Sequence, residues 1–363
     1  MAIDLVCSLA GLFCVWLALR DVFQVVVLPR APAGSLRISA IVTRSLWRTW
    51  PAIGYRLYRN DERREDFLAL FAPFSMILLL AVWVGVLVLG YGLLFYAARH
   101  SIGPETIHFG GALYYAGTSI LTIGYGDITA RTGMTRFISL AAGTSGLATV
   151  ALTTSFLFAV FASFQRREVF VVGIGSRAGA PPSGVGLLVL SAKAEVRDDL
   201  QRLFVQAQTF AAEVMESHLA YPILNFFRSS HDYESWVATL GTMLDAAVLL
   251  MTAVEDQPAG QARIFYLVGN HAVHDLSHYF GIEENQTPGI SREEFDHACS
   301  RLAQAGYSIR ERGAAWSEFS LHRITYASSL NGLARFFEIP PTEWVGDRSF
   351  IRAPHMRVQL PKI

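Results

Sequence analysis

The residues best placed to do chemistry run consecutively: Thr118-Ser119-Ile120-Leu121-Thr122-Ile123-Gly124-Tyr125-Gly126-Asp127. They close a stretch that is apolar from Ile107 to Leu121, as a short helix dipping into a membrane would be, and then become polar and glycine-containing. Gly124 and Gly126 can take positive φ at no steric cost. Alternating such conformations lets successive carbonyls point the same way, toward an axis. A column of carbonyl oxygens replaces the water around a potassium ion, so the chemistry offered is coordination of a dehydrated cation.

That chemistry needs elements to hold it. The segment lies between two long uncharged stretches, Phe67–Ala98 and Phe137–Phe164, each long enough for the roughly 20 residues that cross a bilayer. A third apolar stretch, Leu5–Leu28, carries Arg20 and Asp21 in its second half, where arginine can snorkel toward an interface. Non-helical backbone at membrane depth is permitted only inside protein or along a pore. Composition agrees with a membrane protein: 52% of the 363 residues are hydrophobic and 17% charged, against about a quarter charged in a soluble domain. Thirty basic side chains balance thirty acidic ones, which argues against a broad nucleic-acid footprint. Three cysteines, Cys7, Cys14 and Cys299, read as buried free thiols and form no disulfide framework.

Thr122-Ile123-Gly124-Tyr125-Gly126 resembles the filter of the tetrameric P-loop potassium channels, Thr-Val-Gly-Tyr-Gly, with isoleucine for valine. The resemblance covers about residues 67–167. It implies that the carbonyls of Thr122, Ile123, Gly124 and Tyr125 form the K+ sites and that the Thr122 hydroxyl closes the innermost one. It also implies that Tyr125 braces the filter and Asp127 stands at the outer mouth. Phe67–Ala98 would be the outer helix, Thr106–Leu121 the pore helix with its C-terminal dipole end toward the cavity, and Phe137–Phe164 the inner helix. One pore loop per chain implies a homotetramer about a cyclic axis. Gly143 or Gly146 would be a gating hinge, or else a close-packing glycine of the kind common in membrane helices. Some relatives carry an acid behind the filter; that position is Thr118, so no carboxyl pair with Asp127 is expected.

Orientation follows from arginine. Residues 29–66 contain eight arginines and four acids, and Arg166 and Arg167 follow the last span. Arginine excess marks the cytoplasmic side. The N-terminus is then outside, the Arg-rich loop inside, residues 99–136 outside and the remainder cytoplasmic, in a plasma or bacterial inner membrane. Ala31-Pro32-Ala33 has the form of a signal-peptide cleavage site, but only Asp4 precedes the apolar run and cleavage would strand the arginines outside, so retention is expected. Arg37, Arg44 and Arg48 share a helical face, with Leu36, Val42, Leu46, Trp47 and Trp50 turned away and Ile41 the exception. That pattern reads as a helix on the membrane surface. Arginines do not recur at every third residue inside a span, so a voltage sensor is not expected.

The expected organisation is residues 1–66 as an N-terminal span and Arg-rich segment, 67–168 as the pore domain, and 169–363 as an all-α cytoplasmic bundle. Val171-Val172-Gly173-Ile174-Gly175-Ser176-Arg177-Ala178 has the Gly-x-Gly-x-x-Ala form of a dinucleotide fingerprint. Its context does not fit, because Pro181 and Pro182 would interrupt the helix that must open there, and the stretch reads as a linker leading past Ser183-Gly184. Five helices are then expected: one with Leu200, Leu203, Phe204, Ala207, Phe210, Ala211 and Val214 inward; one over about Tyr233–Val254; one over about Gln261–Phe280; one opened by the capping box Ser291-Arg292-Glu293-Glu294; and one running from Trp316 through Leu333 to Pro340-Pro341.

In the third of these, His271, His274 and His278 share a face bordered by Asp275. Three readings stay open: a divalent metal site, a proton sensor, or a polar face with hydrogen-bonded histidines. The order His218, His274-Asp275, Asp296 is similar to that of metal-dependent HD phosphohydrolases, which makes an enzyme the alternative to be weighed. A non-conducting receptor is the other. The expectation is an all-α membrane protein and not an enzyme: a potassium channel gated by a cytoplasmic ligand, proton or partner acting through its helical domain.

Overall fold

The computed structural model describes residues 2–28, 37–103, 106–179, 181–229, 234–283 and 285–346. The chain divides into two compact units, Met1–Phe161 and Ala162–Ile363. It is an all-α membrane protein with a further helical domain. Three helices are long and apolar enough to cross a membrane: α1 (Ala2–Val26), the run Asp61–Ala97 and α6 (Gly133–Ala178).

In the first unit, α1 packs antiparallel to α4 (Phe71–Ala97), and two acids fasten the pair. Asp4 near the start of α1 pairs with Arg99 just beyond α4. Asp21, one of the charges in the third apolar stretch, is buried rather than placed at a wet end. It accepts hydrogen bonds from Trp83 Nε1 at 2.8 Å, Ser39 N at 3.0 Å and Ser39 Oγ at 3.2 Å. Ser39 lies in the first turn of α2 (Ile38–Leu57), so Asp21 meets the unpaired amides and positive dipole end of that helix. Its charge is thereby solvated by protein.

α2 keeps Arg44 and Arg48 exposed, as the pattern predicts. Its apolar side, however, covers protein. Trp50 stacks on Phe67 with ring centroids 4.7 Å apart and donates to the Phe67 carbonyl at 3.1 Å, while Trp47 meets Phe71 edge-on at 4.7 Å. Phe67 belongs to α3 (Asp61–Ala69), a separate short helix that Asn60 caps by accepting from Glu62 N at 2.9 Å. The Ala31-Pro32-Ala33 site and Leu36 lie outside the described residues.

α5 (Phe109–Ile120) is the short helix expected before the glycine-containing segment. The loop around it is closed by two-residue strands, β1 (Ile102–Gly103) and β2 (Thr129–Ala130), paired antiparallel with Ile102 opposite Ala130. The core beneath is built from Leu87, Tyr91, Phe95, Ala112, Ala116, Ile120 and Ala142, joined by Ala18 of α1. Small residues on α5 let it sit close to its neighbours.

α6 corrects two expectations. It does not stop at Phe164, and Val171–Ala178 is helix, not linker. Nothing between residues 165 and 178 obliges a helix to end. The stop comes where Gly179 adopts φ 91°, just ahead of Pro181 and Pro182.

The second unit has seven further helices among the described residues, not five. α7 (Gly184–Lys193) was hidden from pattern reading because it is buried from Gly184 to Ala192 and so has no polar face to set a period. α8 (Asp199–Ala220) ends near Tyr221-Pro222 as expected and leads into a 3-10 turn, Pro222–Phe226. α9 (Trp236–Thr252) is buried at every position and forms the centre; Tyr233, where its pattern begins, lies outside the described residues. α10 (Gly260–Phe280) follows, and α11 (Arg292–Gln304) opens with the predicted reciprocal cap of Ser291 and Glu294. The last expected helix is two, α12 (Arg312–Arg323) and α13 (Ala327–Phe336). The break lets Arg323 and Tyr326 both reach buried Asp245 on α9, at 3.0 and 2.7 Å.

Candidate functional site

The segment after α5 has the backbone that its residues permit. Thr122, Gly124 and Gly126 adopt φ of 55°, 58° and 82°, so every second residue is left-handed. For the glycines this carries no steric penalty, but a β-branched threonine in that region is strained by about 1–3 kcal/mol. The strain is held by α5. The Thr118 carbonyl accepts from Ile123 N at 2.8 Å and Gly124 N at 3.3 Å, and the Ser119 carbonyl accepts from Thr122 N at 3.1 Å. These are last-turn carbonyls with no partner inside the helix. The end of α5 therefore becomes the template for the segment.

Thr118 occupies the position behind the segment and turns its hydroxyl to its own helix, donating to the Tyr115 carbonyl at 3.1 Å. No carboxyl stands there. Instead Tyr114 stacks parallel to Tyr125, with ring centroids 6.5 Å apart, and its hydroxyl interacts with the Asp127 carboxylate. Sequence reading missed Tyr114; the signal was its place one helical turn before Thr118, on the side from which the segment departs. Tyr115 ties α5 to α6 through its hydroxyl and Ser139 Oγ at 2.8 Å, and Tyr91 ties α4 to α6 through Ser145 Oγ at 2.7 Å.

The two candidate hinge glycines differ. A Cβ on Gly146 would lie 2.1 Å from the Ile120 carbonyl oxygen, whereas one on Gly143 would lie 3.4 Å from that of Ser119. Gly146 is thus a point of close approach between α6 and the end of α5, and Gly143 has room for a side chain. In a single chain the segment itself is uncovered: Ile123 is 47% exposed and Tyr125 70%.

The histidines of α10 lie along one exposed face of the helix. His271, His274 and His278 are exposed, and His271 Nε2 lies 3.5 Å from Asp275 Oδ2 across one turn. Among the described residues no group of three or more His, Cys, Asp or Glu could hold a metal ion. His218, first in the HD-like order, is buried on α8 with Nε2 at 3.2 Å from Arg167, and Asp296 pairs with Arg292 at 3.1 Å.

Residues 81–163, which take in most of α4, all of α5, the segment and the first two thirds of α6, match a family model described as an ion channel. This part of the chain is an ion-channel domain in a membrane protein. The uncharacterized membrane protein YdjJ of Bacillus subtilis (strain 168) is 21% identical over 220 residues. The match takes in 60% of this chain and 63% of that relative, a little under two thirds of its length. No solved structure matches the chain.

Proposed function

We propose that the chain is one subunit of a homotetrameric, potassium-selective channel whose filter is Thr122–Gly126. The observation that carries this reading is the left-handed backbone at Thr122, Gly124 and Gly126, held on the last-turn carbonyls of α5. Alternation of this kind turns the carbonyls of Thr122, Ile123, Gly124 and Tyr125 toward a common side, where four chains would surround a dehydrated ion. Exposure of Ile123 and Tyr125 in a single chain fits neighbours that cover them. Asp127 adds negative charge at the outer mouth, and α5 directs its C-terminal dipole end toward the permeating cation. By the arginine distribution, the N-terminus lies outside and the helical unit in the cytoplasm of a bacterial inner or other plasma membrane.

The helical unit is the gate in this reading, and the protein a transport protein rather than an enzyme. α6 runs without a helical break from residues matched by the ion-channel model to residues of the second unit. A stimulus that binds one state of that unit better than another would shift the pore with it. Potassium and sodium flux into proteoliposomes containing the full chain tests the reading. Flux of potassium with sodium excluded supports it, and a sealed membrane or equal flux of both ions overturns it.

A further inference from the structure

Arg167 and Glu168 of α6 are both buried, although charged residues are seldom buried unless paired. Arg167 uses all five of its N–H donors. Nε and Nη2 donate to Glu168 Oε1 at 3.1 and 3.0 Å, Nη2 also to the Phe227 carbonyl at 2.9 Å, and Nη1 to the Leu224 carbonyl and His218 Nε2, each at 3.2 Å. Glu168 Oε2 accepts from Ser229 Oγ at 2.5 Å. One guanidinium thereby joins α6 to the end of α8, the 3-10 turn and the strand of chain that follows.

Of these partners His218 is the one whose side-chain type passes from acceptor to donor near neutral pH. Arg has no acceptor, so Nε2 facing Nη1 must be the bare, accepting nitrogen, and the proton resides on Nδ1, which faces the Val214 carbonyl and Ser217 Oγ. Burial first, and the Arg167 charge second, hold the His218 pKa well below its ordinary 6.5. The charged group facing it is Arg167 of α6, whose own ion-pair partner is Glu168. α8 contributes Ser217 and the Val214 carbonyl, the 3-10 turn contributes Asn225, and α9 contributes Trp236 with its ring 4.9 Å away; all of these are neutral.

We propose that Arg167 and His218 form a proton-released latch between α6 and the corner formed by α8 and the 3-10 turn. A proton on Nε2 removes the acceptor and sets a second cation 3.2 Å from the guanidinium. Once solvated, the imidazole binds that proton near its ordinary pKa, so acid favours the opened latch. The gain is up to about tenfold in the opening equilibrium for each pH unit below about 6.5. The electrical consequence, a change in open probability as α6 is freed, rests on the channel reading; the latch itself does not.

Hydrogen exchange of the full chain in phospholipid nanodiscs, corrected for intrinsic rates between pH 7.5 and 5.0, tests the latch. Residues 163–170 and 214–229 should lose protection below about pH 6.5 by up to about tenfold per unit while α9 stays protected. His218→Gln, which keeps an acceptor oxygen and cannot titrate, should abolish that dependence. Protection indifferent to pH in the wild type, or an equal response in H218Q, overturns the proposal. Should H218Q not fold, ¹⁵N-histidine NMR of the wild type decides: His218 must protonate over the range in which the segments open, and a ring that stays neutral overturns the latch. Potassium flux measured on the same preparations separates the two readings. A pH-dependent latch without flux supports the latch and contradicts the channel; flux with pH-indifferent exchange contradicts the latch alone.

Discussion

Gly146 of α6 passes so close to Ile120 at the end of α5 that a Cβ would stand 2.1 Å from the Ile120 carbonyl oxygen. The same turn of α5 supplies the carbonyls that hold Thr122, Ile123 and Gly124. Pressure on Gly146 is therefore pressure on the turn that holds the proposed filter. Gly146→Ala is expected to displace that turn at about 1–3 kcal/mol and to reduce potassium flux or tetramer recovery. Gly143→Ala, with its Cβ at 3.4 Å, should be tolerated. Flux and size-exclusion profiles of the two variants check this; the reverse order of sensitivity would make Gly143 the hinge and contradict the packing argument.

Asp21 holds three elements together through Ser39 and Trp83. Asp21→Ala leaves the Ser39 amide and the Trp83 indole N–H buried without an acceptor, a cost of about 1–3 kcal/mol for each. Thermal unfolding of the purified chain in detergent should show a clear drop in melting temperature for D21A and a smaller one for D21N, which retains an oxygen. Equal stability of D21A and wild type would remove Asp21 from its capping role.

The buried pair of Asp245 and Arg323 is the charged centre of the helical unit, with both side chains at 1% exposure or less. Burial raises the Asp245 pKa although the Arg323 charge opposes it. Asp245→Asn strands the Arg323 guanidinium in a dry site and should destabilise this unit by about 3–5 kcal/mol. Tyr326→Phe, removing one hydrogen bond to Asp245, should cost about 1 kcal/mol. Denaturant unfolding of the full chain followed by tryptophan fluorescence measures both.

Cys299 is buried, and burial pushes its thiol up to about 11, so at neutral pH it is protonated and unreactive. A water-soluble alkylating reagent at pH 7.5 should leave Cys299 unmodified in the folded chain and modify it after denaturation, as read by peptide mass spectrometry. Rapid modification of native protein would show the core around α11 to be open.

Much of this was legible in the residues because the signals are local. Uncharged runs of membrane length mark the spans, Gly124 and Gly126 mark the left-handed backbone, and Ser291 with Glu294 marks a helix start. What escaped depends on partners distant in sequence. α7 lacks a polar face, so its helicity leaves no periodic trace. The break between α12 and α13 is set by Asp245, about eighty residues earlier, which draws Arg323 and Tyr326 together. Arg167 reads as a boundary arginine until its acceptors at His218, Leu224 and Phe227 are brought to it. The histidines of α10, conspicuous in sequence, lie on an exposed face without a three-ligand group among the described residues.

The central claim is that Thr122–Gly126 selects potassium. Its most direct test is potassium and sodium flux through the reconstituted full chain, wild type beside Gly124→Ala, with tetramer formation checked for both. Gly124 sits at φ 58°, where alanine is strained, and its carbonyl is one of those assigned to the proposed filter. The account predicts potassium flux with sodium excluded in the wild type, and loss of that flux or of its selectivity in an assembled G124A tetramer. Unchanged, equally selective flux through G124A would contradict it.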